Sequence, residues 1–191
     1  MLLVEIKYTY IDPTLAPYYK DEFSAGEDKT GVYFMFAGLG CLLGGLLTPV
    51  LASKPFPLRT PLIVGNLTSG VTAFFLAPVT HRGTLISSVF FLYVGAIFDS
   101  LISGPIVALM NAAVEHEYPK EQQDTLRGYI LSVNAFTNSV GQFLGPIIGS
   151  LMAAVFGFRW TCGLLGALIF GVAIVHHALV DICTIVTKGT Y

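Results

Sequence analysis

Between Arg127 and Arg159 the chain carries no charged side chain. A helix rises about 1.5 Å per residue, so roughly 20 apolar residues cross a hydrocarbon layer about 30 Å thick, and this gap is long enough for one span. Within it Asn134, Asn138, Gly141, Gly145 and Gly149 recur at steps of four, three, four and four, which places them on one narrow helix face. The rest of the surface is apolar. Small residues at this spacing let a neighbouring backbone approach, which is how helices associate where lipid removes the hydrophobic drive between them. The stretch 127–155 is therefore predicted to be a transmembrane helix with Gly141, Gly145, Pro146 and Gly149 in its packing stripe. Asn134 and Asn138 either hydrogen-bond a polar substrate or bond across helices, a contact worth about 0.6 kcal/mol on average.

The rest of the chain agrees. Of its 191 residues only 12% are charged, and mean hydropathy is +0.72, whereas a soluble domain is about a quarter charged. This is an all-α, multi-pass membrane protein, with the lipid bilayer as its first partner. Spans are expected at about 1–19, 31–53, 61–79, 84–114, 127–155 and 160–186, with the polar stretch 115–127 as an aqueous loop. Loop Lys and Arg are nearly balanced between the two sides, so charge bias does not set the orientation. A net charge of −2 with scattered basic residues excludes a nucleic-acid surface. Cys41, Cys162 and Cys183 form no CxxC and read as small buried side chains rather than disulfide or zinc ligands. No Ser/His/Asp, metal-ligand or phosphate-loop pattern stands out, so an enzyme is not expected.

Ionisable residues at membrane depth are the site candidates, because a charge there is costly unless it faces a partner or a cavity. Asp99 lies near the middle of the fourth span with Ser88, Gly95 and Ser103 on its face. It either lines a polar cavity or packs as a protonated carboxyl against a neighbouring helix. Glu5 and Asp12, seven residues apart, share a face of the first span with Tyr8 between them. Asp12 precedes Pro13, which has no amide hydrogen and is expected to loosen the helix there. On the other reading this segment starts at the interface and leaves Glu5 and Lys7 as snorkelling or paired surface charges. His176 and His177, with Asp181 beyond, read as an interfacial group at the end of the last span. Asn66-Leu67-Thr68 matches a glycosylation sequon but sits inside an apolar span.

The run Gly141-Gln-Phe-Leu-Gly145-Pro146-Ile-Ile-Gly149, followed by Gly157-Phe158-Arg159-Trp160, resembles the eleventh helix of major facilitator superfamily transporters and the turn after it. Tyr10-Ile-Asp12-Pro13-Thr14-Leu15-Ala-Pro17 is similar to the seventh helix of the vesicular amine and polyamine branch. The two matches order the chain as helices seven to twelve. The resemblance implies one half of a twelve-helix fold, made of two inverted three-helix repeats, with substrate near the midplane between the halves. It further implies proton-coupled antiport of a small organic cation such as a polyamine or amine. The proton is then the coupling ion, no cofactor is needed, and Asp99, Asp12, Glu5, Asn134 and Asn138 are the candidate substrate or proton residues. Where amine carriers have an aspartate in the eleventh helix this chain reads Asn134-Ala135, which favours polyamine-like relatives. The basic loop usual between helices eight and nine is reduced to Lys54 and Arg59 around Phe56 and Pro57. On this basis the chain is expected to be a fragment lacking the N-terminal six-helix half, and not to transport by itself. The competing expectation is a non-transporting six-helix scaffold or half-transporter subunit whose glycine stripes dock a partner.

Overall fold

A computed structural model describes residues 2–52, 59–78 and 83–188; the side chains of 27, 28, 52, 59–61, 103, 104, 176, 177 and 179–188 are outside the described set. The described residues form α1 (Leu2–Phe23), α2 (Glu27–Ala52), α3 (Arg59–Leu76), α4 (Leu85–Glu117), α5 (Lys120–Phe156) and α6 (Phe158–Lys188). There is no strand among them. The reduced loop at Lys54, Phe56 and Pro57 falls outside, as do the side chains of Arg59, His176, His177, Asp181 and Cys183.

Local chemistry sets several of the breaks. Thr84 starts α4 with a reciprocal cap: its side chain accepts from the Ser87 amide at 3.2 Å, while the Thr84 amide donates to Ser87 Oγ at 3.1 Å. Gly157 separates α5 from α6 with φ of 81°, a backbone conformation that glycine adopts without steric cost. The stretch 115–127, expected as an aqueous loop, is instead two helix ends meeting at Tyr118 and Pro119. Lys, Glu and Gln are good helix formers even where no lipid surrounds them, so α5 starts at Lys120. Arg127 closes the corner with an ion pair to Glu115. α1 runs unbroken through Pro13 and Pro17, so Asp12 lies within a continuous helix, although Pro13 still offers no amide hydrogen to the Thr9 carbonyl.

Among the described residues four helices hold a stretch long and apolar enough to cross a membrane: α2 over Lys29–Leu51, α4, α5, and α6 over Phe158–Val175. α3 contributes a shorter apolar stretch, Leu62–Leu76. Large apolar side chains cover the outer surface, among them Ile86 at 82% and Phe143 at 69% exposure. So much exposed apolar surface is incompatible with an aqueous exterior. The protein is an integral, multi-pass membrane protein.

Two glycine seams join the helices into one unit. In the first, α5 lies along α1: a Cβ at Gly141 would collide with Glu5, at Gly145 with Thr9, and at Gly149 with Tyr10. Residue numbers rise together on both helices, so they run parallel. In the second, a Cβ at Gly40 of α2 would come within 2.6 Å of the Tyr93 carbonyl oxygen of α4, and one at Gly44 would strike the Ile97 carbonyl, again in parallel. The second helix of each three-helix repeat thus packs on the first helix of the other. This exchange interlocks α1–α3 with α4–α6, as expected for inverted repeats. α3 and α6 meet where Gly70 and Gly166 let their backbones touch. The core inside this frame is built on α1, where Tyr10, Leu15 and Tyr19 are completely buried.

Candidate functional site

The face of α1 turned toward α3 and α4 buries a charge. Lys7 is 4% exposed, and its ammonium lies 2.6 Å from Asp99 Oδ2 on α4. It also donates to Ser69 on α3, at 3.0 Å to the hydroxyl and 3.4 Å to the carbonyl. Three helices therefore converge on one ammonium group. Burying either charge alone would be costly; paired and hydrogen-bonded, the two are tolerated. The second carboxylate oxygen, Asp99 Oδ1, is buried and has no hydrogen-bond partner.

A cavity of about 40 Å³ borders this pair, with Lys7, Tyr8, Asp12, Thr72, Gly95 and Asp99 in its walls. A water needs roughly 10–15 Å³, so the space holds waters but no organic ligand in this conformation. Gly95 keeps it open, because a Cβ there would sit 3.0 Å from Thr72 Oγ1 and 3.6 Å from the Lys7 ammonium. Tyr8 closes another side, its hydroxyl 2.7 Å from Cys41 Sγ on α2.

The structure separates the expected site residues. Asp99 and Asp12 share the cavity, Asp99 buried at its floor and Asp12 exposed at its rim. Glu5 is not among the walls; it is half-buried against Gly141 of α5. Asn138 has a buried side-chain oxygen without a partner, and Asn134 is half-buried. Both precede Gly141, which already faces the carbonyl of Leu2 at the start of α1, so the asparagines lie beyond the seam. Gly141, Gly145 and Gly149 are buried against α1 and Pro146 is half-buried beside them. That stripe is filled from within the chain and leaves no open glycine face for another protein. Ser88, on Asp99's face in the sequence, serves elsewhere: it donates to the Leu76 carbonyl at 2.8 Å and accepts from Tyr19 at 3.0 Å. The side chain of Ser103 is outside the described set.

Lys7 and Ser69 are the residues that sequence reasoning missed. Lys7 read as a snorkelling or surface-paired charge because it stands near the start of its span. The available signal was complementary: a lone lysine in one span and a lone aspartate deep in another are each other's cheapest partner.

Six helices in two interlocked three-helix repeats are consistent with one half of a membrane-transporter fold. Residues 1–181 match the sequence model of the Major Facilitator Superfamily, and the chain belongs to that family. It is 26% identical over 174 residues to the human protein described as MFS-type transporter SLC18B1, a match covering 87% of this chain and 38% of the relative. The mouse protein of the same description is 25% identical over 163 residues, covering 83% of this chain and 35% of the relative. The chain thus spans well under half the length of these relatives. No solved structure matches it.

Proposed function

We propose that this chain forms one six-helix half of a carrier that exchanges protons for a small organic cation, a polyamine or amine, across a membrane. The buried Lys7–Asp99 pair carries the reading. A carboxylate held at depth beside a cavity is a site where a proton and an organic cation compete, and exclusive occupancy couples their opposite flows. Asp12 at the rim gives an entering cation a first carboxylate, and Asp99 a second. The other side of the substrate path belongs to a second six-helix half, since carriers of this architecture bind substrate between halves. The resemblance to the vesicular amine and polyamine branch supports the choice of cation.

Neither a cofactor nor a metal is needed for this work, and no bond is made or broken in the substrate. The test is uptake of labelled polyamine, driven by an imposed proton gradient, by vesicles from cells expressing a full-length carrier in which this chain is joined to its other six-helix half. Asp99→Asn is expected to abolish gradient-driven exchange. Wild-type coupling in that variant would remove Asp99 from the mechanism.

A further inference from the structure

We infer that Lys7 is a tethered occupant of the site that receives a primary ammonium group of the substrate. The inference rests on the cation-carrier reading and specifies its ligand. The Lys7 side chain ends in four methylenes and an ammonium, which is the chemistry of a primary alkylamine. Its three N–H donors meet three acceptors: Asp99 Oδ2 at 2.6 Å, Ser69 Oγ at 3.0 Å and the Ser69 carbonyl at 3.4 Å. A primary ammonium offers the same three donors. A quaternary ammonium offers none and would leave all three acceptors unpaired.

Two independent features mark the place as a ligand site rather than a structural ion pair alone. Asp99 Oδ1 is buried and no protein group donates to it, which leaves a carboxylate acceptor for a donor that enters the site. A cavity runs alongside, bounded by Lys7, Asp99 and Asp12, which is too small for an organic cation while the lysine is in place. An arriving ammonium therefore takes over the Ser69 and Asp99 acceptors as Lys7 withdraws. The empty carrier never leaves Asp99 bare, and the substrate must compete with a group of its own kind.

Competition from a tethered group lowers apparent affinity by the fraction of time the site is free; a site open a tenth of the time or less loses about tenfold or more. The first test is chemical rescue of stability in membranes from cells expressing the protein. Lys7→Ala removes the ammonium, and added n-butylammonium, the missing side chain as a free molecule, is expected to raise its thermal midpoint. Tetramethylammonium should not, and neither salt should act on Lys7→Ala combined with Asp99→Asn. No rise, or an equal rise with both salts, overturns the inference. Should Lys7→Ala fail to accumulate, Lys7→Gln keeps an uncharged donor in place. In the full-length carrier its apparent affinity for labelled polyamine is expected to be at least about tenfold tighter than wild type. Unchanged or weaker affinity there overturns the inference. Failure of the carrier reading shows differently, as absent polyamine transport by the wild-type full-length carrier, whereas rescue is read on stability without transport.

Discussion

Tyr10 fills the space that a side chain at residue 149 would need: a Cβ added to Gly149 would strike the Tyr10 Cβ. Tyr10 is itself completely buried and cannot retreat toward solvent. Gly149→Val is therefore expected to destabilise the protein by about 1–3 kcal/mol or more, since an overpacked contact must be relieved by moving a helix. Gly45 on α2 has no atom within 4 Å of where its Cβ would stand, so Gly45→Ala should leave stability unchanged or slightly raised. Thermal midpoints of the two variants in membranes measure the contrast. Equal midpoints would mean that α5 does not lie on α1 at Tyr10.

Replacing one partner of the Lys7–Asp99 pair leaves the other charge buried. Asp99→Asn and Lys7→Met are each expected to cost about 3–5 kcal/mol. The combined variant removes both charges and should be more stable than either single one, so the effects are far from additive. A double-mutant cycle on thermal stability reads the coupling. Additive losses would show that the two side chains do not meet.

How much of this was legible in the sequence depends on whether a feature is local to one helix. The α5 stripe was, because spacing alone puts Gly141, Gly145 and Gly149 on one face; its partner, α1, is a tertiary fact that spacing does not contain. Glu5 and Asp12 do share a face by count, yet Glu5 meets α5 whereas Asp12 borders the cavity. Helices cross at an angle, so one face meets different neighbours at different depths. Lys7 stayed hidden for the same reason: α3 and α4 bury it, and neither is adjacent in sequence. The helical ends at 115–127 were misread because charge marks exposure to water, and an exposed helix is as charged as a loop.

The Tyr10 hydroxyl lies 2.8 Å from Cys162 Sγ, and both residues are completely inaccessible. Cys162 is therefore expected to resist water-soluble maleimide in the folded protein and to react only after denaturation. Tyr10→Phe should cost about 0.5–1.5 kcal/mol by removing one hydrogen bond. It should leave Cys162 protected, because packing rather than that bond covers the thiol. Mass spectrometry of labelled membranes measures both. Rapid labelling of Cys162 in the native protein would contradict the packing of α6 on α1.

Where α1 ends beside the start of α6, Arg159 pairs with Glu22, each side chain 26% exposed, and the Tyr18 and Phe158 rings stack with centroids 4.4 Å apart. The two contacts sit side by side but differ in kind. An ion pair open to solvent is worth about 0.2–1 kcal/mol and weakens with salt, so Glu22→Gln is expected to be mild and nearly silent at high ionic strength. Phe158 is 9% exposed and also touches Tyr10, 6.1 Å between centroids, so Phe158→Ala opens a void against two rings of α1. Its expected cost is about 3–5 kcal/mol, independent of salt. Thermal unfolding of both variants at low and high salt separates the contributions. If Glu22→Gln proved the costlier change, the junction of α1 with α6 would be held by charge, and the aromatic stack would be a bystander.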